Sequence, residues 1–168
     1  MTASPARATP LDRIDRKILH ELMRDATVSV AQLAERVGLS QTPCWKRVQK
    51  LEAGGVIVGR VALIDPVRIG LGLSVFVEIE AADHTPEWRA TFATLVSEYA
   101  EILEVHRMAG EVDYMLKVIV SDMEAFDIFY LDLTSRLSCR NVTSKFSMER
   151  MKATTALPID IASAWHAV

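Results

Sequence analysis

Side chains able to do covalent or metal chemistry are scattered along this sequence. His20, His84, His106 and His166 show no metal-ligand spacing. Cys44 and Cys139 stand far apart, without a Cys-x-x-Cys or Cys/His pattern. No glycine-rich phosphate loop occurs, and the 22 Asp and Glu form no recognisable acid–base pair. An enzyme, a metal site, a cofactor and a disulfide framework are therefore not expected. The chemistry on offer is non-covalent recognition. At about 100° per residue, Thr42, Lys46, Gln49 and Lys50 share one sector of a helix. Trp45 and Arg47 flank that sector, Gln41 opens the segment, and Cys44, Val48 and Leu51 occupy the opposite side. Amide and cationic groups hydrogen-bond base edges, and Lys and Arg neutralise phosphates. With Arg60 just beyond, Gln41, Thr42, Trp45, Lys46, Arg47, Gln49 and Lys50 are the candidate DNA contacts.

The elements that must hold this helix are legible around it. Ile14, Ile18 and Leu22 recur at i, i+4, i+8 within Leu11 to Arg24, one apolar stripe on a first helix. Ser29 and Gln32 fit a capping box, and Val30, Leu33, Ala34 and Val37 stripe a second, short helix stopped by Gly38. Thr42 as cap and Pro43 as first helical residue would open the third helix, and Gly54-Gly55 would end it. Two short helices joined through Gly, Leu and Ser make a helix-turn-helix. Val56 to Leu63, interrupted by Gly59-Arg60, reads as a two-stranded wing.

Charge supports that division. Residues 1–60 carry ten Lys and Arg against six Asp and Glu, a net of +4, whereas residues 61–168 carry nine against sixteen, a net of −7. A basic front half on a chain of net charge −3 suits a domain that meets a polyanion. No window of about 18 apolar residues is present, so no membrane span is expected. Met1 to Pro10 holds no apolar run, which argues against a secretory signal. These features point to a soluble cytoplasmic protein.

The back half reads as a repeated strand–helix–strand. Leu73, Val75, Val77 and Ile79 alternate along Gly72 to Glu80. Thr85-Pro86 caps a helix striped by Trp88, Phe92, Leu95, Val96 and Tyr99. Strands follow at Ile102 to Met108 and from Tyr114 to Val120, then a helix capped by Asp122, then a strand at Val142 to Met148. The order βαββαβ predicts a ferredoxin-like sheet with both helices on one face. Phe76, Met115, Ile119 and Phe146 are expected on the other face, and a partner subunit is its natural cover. The fold class is thus α+β: a winged helix-turn-helix over residues 1–60, a linker strand and hinge over 61–71, and a ferredoxin-like domain over 72–168.

Three stretches carry a family resemblance: Leu11-Asp12-Arg13-Ile14-Asp15-Arg16-Lys17-Ile18-Leu19, Val37-Gly38-Leu39-Ser40-Gln41-Thr42-Pro43-Cys44, and Gly110-Glu111-Val112-Asp113-Tyr114. Over residues 11–159 the chain resembles the Lrp/AsnC, or feast/famine, transcription regulators. Within that family, Thr42 to Arg47, Val61 to Pro66, Arg107 to Glu111 and Thr154 to Ile159 look most similar to cysteine-responsive regulators that activate cysteine detoxification. The resemblance implies a homodimer that assembles to an octamer or similar, binds double-stranded DNA, and responds to a free amino acid. It also implies an effector site at Met108, Ala109, Gly110, Glu111, Val112, Asp113 and Tyr114, with Lys145, Phe146 and Ser147 as a second segment. Asp113 would take the ammonium group, and loop N–H groups the carboxylate. From spacing alone, 110–114 is a β-hairpin turn. Two other readings stay open: a regulator sensing a branched-chain or other amino acid, and a DNA architectural protein without an effector.

Overall fold

The computed structural model describes residues 9–159, which pack as two units: residues 9–62 with 152–159, and residues 63–151. The first unit holds α1 (Arg13–Arg24), α2 (Val30–Val37) and α3 (Gln41–Ala53). Asp12 caps α1 by accepting from the N–H groups of Ile14 and Asp15, and the Asp15 side chain reaches back to the Asp12 N–H. Ser29 and Gln32 form the expected reciprocal box on α2. Gly38, at φ +77°, closes α2 in the left-handed region, which lets the Leu39 N–H reach the Ala34 carbonyl at 2.8 Å. Ile18, Leu33, Ala34, Val37, Cys44, Val48 and Leu51 form the core of the three helices, each at most 4 % exposed.

The start of α3 differs from the sequence reading. Ser40 occupies the cap position without a side-chain bond, and helix begins at Gln41. Pro43 therefore sits two residues further into the first turn, where its missing N–H still costs nothing.

The wing is absent: no strand forms among residues 54–72. The N–H groups of Val56 and Ile57 both donate to the Leu51 carbonyl, at 2.9 and 3.1 Å, and both side chains pack on the helical core. The first arm of the expected hairpin is thereby consumed in ending α3, leaving only Val58 before Gly59. The linker strand is absent as well. Residues 58–65 run without ladder partners, and a 3-10 turn follows at Val67–Ile69.

The second unit is one antiparallel sheet in the order β2-β3-β1-β4. Its strands are β1 (Leu73–Ala81), β2 (Ile102–Arg107), β3 (Tyr114–Val120) and β4 (Cys139–Phe146), with α4 (Pro86–Glu98) after β1 and α5 (Met123–Arg136) after β3. Val75, Val77 and Ile79 pair with Val118, Leu116 and Tyr114, and all share a core with Trp88, Phe92, Leu95, Phe126, Phe129 and Leu133. β4 begins three residues earlier than the alternation suggested. There the Trp88 indole N–H donates to the Ser138 carbonyl at 2.6 Å.

One expected open-face residue changes sides. Phe146 pairs with Val75, so strand pleating places it on the helix-bearing face, where it meets Phe126 edge-on at 5.2 Å. The open face instead carries Phe76, Met115 and Ile119 among charged neighbours. Lys145 pairs with Glu78, and Lys117 with Glu104 at 2.7 Å.

Candidate functional site

The polar face of α3 is laid out by its buried one. Cys44, Val48 and Leu51 are sealed against α1 and α2, which leaves Gln41, Thr42, Trp45, Lys46, Gln49 and Lys50 exposed. Cys44 is fully buried, and that burial raises the pKa of its thiol. Trp45 is 44 % exposed, so its ring is not a core element. Among the described residues no carboxylate pairs with Lys46 or Lys50, and both cations stay available to an external anion.

Arg47 and Arg60 stand differently. Arg47 Nη1 lies 2.6 Å from Asp12 Oδ2 and 2.7 Å from Asp15 Oδ1. Arg60 Nη2 lies 2.8 Å from Glu52 Oε1. Two of the eight expected contacts are thus engaged within their own unit. Residue type and periodicity do not mark the Asp12–Asp15 pair at the start of α1 as a partner for Arg47. An Asp-x-x-Asp spacing before an apolar stripe is the signal that could have found it, by analogy with the capping box.

The loop between β2 and β3 is built from both ends. The Met108 N–H donates to the Asp113 carbonyl at 2.8 Å, and the Asp113 N–H donates to the Ile79 carbonyl at 3.0 Å. Asp113 Oδ2 accepts from the Ala81 N–H at 2.8 Å, while Oδ1 lies 3.7 Å from His84 Nδ1. Between these anchors the chain turns through Gly110 at φ +145°, and a Cβ there would meet nothing within 4 Å. Among the described residues nothing accepts from the N–H groups of Ala109, Gly110, Glu111 and Val112. One carboxylate oxygen beside a rim of free amides can receive an ammonium group and a carboxylate together.

Four expected members of this site lie elsewhere. Tyr114 is a core residue, 9 % exposed, with its ring 4.3 Å from that of Phe92. Its side chain follows the inward face of β3, so alternation removes it from the loop. Lys145, Phe146 and Ser147 lie at the far end of β1. Phe146 pairs with Val75, and the Ser147 N–H donates to the Ser74 carbonyl, whereas the loop is tied to Ile79 and Ala81. The two positions, Val75 and Ile79, are four residues apart along β1, about 13 Å of extended chain. One protomer does not bring these segments together.

The comparisons agree with this architecture. An AsnC-type helix-turn-helix domain matches residues 11–52, and the Lrp/AsnC ligand binding domain matches residues 74–157. The DNA-binding transcriptional activator DecR of Escherichia coli K12 is 50% identical over 151 residues, spanning 89% of this chain and 99% of that protein. The crystal structure of an AsnC family transcriptional regulator from Agrobacterium tumefaciens superposes with a TM-score of 0.87 at 50% identity, covering 90% of this chain and 99% of that one. A transcriptional regulator of Neisseria meningitidis, solved as a complex with L-methionine, gives a TM-score of 0.87 at 34% identity, covering 91% and 99%. An N-terminal helix-turn-helix followed by a four-stranded α+β ligand-binding domain defines a class of DNA-binding transcriptional regulators rather than enzymes. The chain belongs to the Lrp/AsnC family.

Proposed function

We propose that the chain reads operator DNA through the exposed side of α3 and that a small free amino acid, cysteine foremost, sets its affinity by binding at the 108–113 loop of an assembled oligomer. The observation that carries the DNA reading is the set of unpaired Lys46 and Lys50 beside Gln41, Thr42 and Gln49, on a helix whose opposite side is wholly buried. Lys46 and Lys50 supply phosphate or guanine contacts, and Gln49 suits an adenine edge. Free loop amides and Asp113 Oδ1 suit the two charged groups that every amino acid carries. The sulfur ligand of the Neisseria relative is in keeping with a short sulfur-bearing effector.

A second copy follows from what one copy leaves open. Val58, Val61 and Leu63 are 94 %, 81 % and 74 % exposed in an unpaired extended segment, and Phe76 and Met115 lie on an uncovered sheet face. A dimer covers such surface, and further assembly brings the 108–113 loop near a 145–147 segment of another copy. A ligand that prefers one assembly tenfold shifts the balance by about 1.4 kcal/mol. Such a regulator of chromosomal DNA acts in the cytoplasm.

Fluorescence anisotropy on a duplex selected from random sequence by the full-length protein tests both halves. Lys46→Ala is expected to raise the Kd about tenfold or more with the circular dichroism spectrum unchanged; an unaltered Kd overturns the α3 assignment. Asp113→Asn keeps an acceptor for the Ala81 N–H but removes the charge. It should bind DNA normally and lose its response to cysteine or to whichever amino acid shifts the wild type. A normal response in that variant overturns the loop assignment.

A further inference from the structure

Every carboxylate oxygen at the start of α1 has an assigned partner. Asp12 Oδ1 accepts from the N–H groups of Ile14 and Asp15, both at 2.8 Å, and Asp15 Oδ2 accepts from the Asp12 N–H at 3.3 Å. The two remaining oxygens, Asp12 Oδ2 and Asp15 Oδ1, converge on one atom, Nη1 of Arg47. Asp15 is 6 % exposed, and it is the one buried charged residue among those described. Its burial is tolerable because its charge is matched and both oxygens are bonded. Arg47 leaves α3 between Lys46 and Val48, beside the cationic side and next to the buried one. An ordinary surface cation on a DNA-reading helix stays free, as Lys46 and Lys50 do. This one is turned back onto the N-terminus of the first helix.

We propose that Arg47 is a positioning residue: through the Asp12–Asp15 pair it locks the rotation and axial setting of α3 on α1, presenting Lys46, Gln49 and Lys50 in register with the groove, and it spends its charge there rather than on a phosphate. This rests on the reading of α3 as the DNA-reading helix. The physical reason is leverage. Apart from Arg47, α3 is buried against its neighbours through the apolar side chains of Cys44, Val48 and Leu51, whose contacts carry no directional bond. A charge-assisted bond to two fixed oxygens is directional and sets the angle. The helix that reads DNA and the cap that starts the domain are therefore one hydrogen-bonded unit.

The test uses full-length protein and a duplex it selects from random sequence, with anisotropy measured across a potassium chloride series. Asp12→Asn is the discriminating variant. Asn caps a helix as well as Asp does, so α1 should survive, while one of the two charges holding Arg47 is lost. Removing a negative charge from a DNA-binding surface by itself tightens binding; the lock predicts instead that binding weakens, about three- to tenfold, with the circular dichroism spectrum unchanged. Arg47→Ala should weaken binding at least as much without changing the slope of log K against log salt, and the Asp12→Asn/Arg47→Ala double variant should be no worse than Arg47→Ala alone. A phosphate contact would lower that slope by about one. Tighter or unchanged binding by Asp12→Asn, or a slope reduced by about one in Arg47→Ala, overturns the proposal. If Arg47→Ala loses its helical spectrum, Asp12→Asn decides alone. A wild type that selects no duplex, or a Lys46→Ala variant that binds normally, would instead remove the reading of α3 itself.

Discussion

Asp12 illustrates how much one side chain settles. One of its oxygens starts α1 and the other holds Arg47. The Asp15 N–H, first, and then the Arg47 guanidinium hold its carboxyl below the ordinary value of 3.8. The folded pKa is depressed, so the stabilisation is fully present above the unfolded value and is lost as pH falls through the lower folded one. Thermal melts between about pH 5 and pH 2.5 should show the wild type losing its lead over Asp12→Asn as acid is added. A lead that stays constant across that window would show that the Asp12 charge does not stabilise the fold. Asp113 is divided in the same manner, one oxygen tying β1 and the other left toward His84. Sharing of this kind lets one carboxylate carry structure with one oxygen and leave the other facing outward.

Among the elements, the turn between α2 and α3 constrains how α3 departs from α2. Gly38 is followed only by Leu39 before the Ser40 cap, so its left-handed conformation sets the direction in which α3 departs. A Cβ at this position meets nothing within 4 Å, which makes the cost of Gly38→Ala purely a backbone cost. That substitution should lower stability by about 1 kcal/mol in urea unfolding. A much larger loss would mean that side-chain crowding, not φ, governs the turn. In the second unit, β1 and β3 are the two central strands, each with two partners, and the alternation of β1 is strict from Val75 to Ala81. The outer strands β2 and β4 are mostly exposed, which is why alternation marked their ends less sharply.

At the scale of the whole molecule, the chain leaves surfaces that one copy cannot satisfy. Phe76 is 37 % exposed on the open sheet face, flanked by the Lys145–Glu78 and Lys117–Glu104 pairs. Phe76→Asp should shift sedimentation toward monomer while the circular dichroism spectrum stays native. An unshifted boundary would remove the open sheet face from the proposed dimer contact. The chain also returns on itself, because residues 152–159 pack with the helical unit. There the Leu157 N–H lies 3.2 Å from Met23 Sδ, and Ile159 joins the helical core. By its place in the sequence that tail falls with the ferredoxin-like domain expected over residues 72–168. No periodicity marks it, and only long-range packing reveals where it goes.

Local rules therefore account for most of the architecture. Apolar periodicity and cap residues such as Ser29, Thr85 and Asp122 place five helices and four strands, since each depends on neighbours within a turn or a pleat. The same periodicity identifies the exposed side of α3, because Cys44, Val48 and Leu51 must face inward. Spacing could not tell that Val56 and Ile57 end a helix instead of starting a wing, or that Phe146 faces the helices. It could not tell that Arg47 is claimed by Asp12 and Asp15, or that residues 108–113 and 145–147 lie at opposite ends of one strand. Each of these depends on which distant group competes for a hydrogen bond, a charge or a face, and that competition is resolved only when the chain is folded.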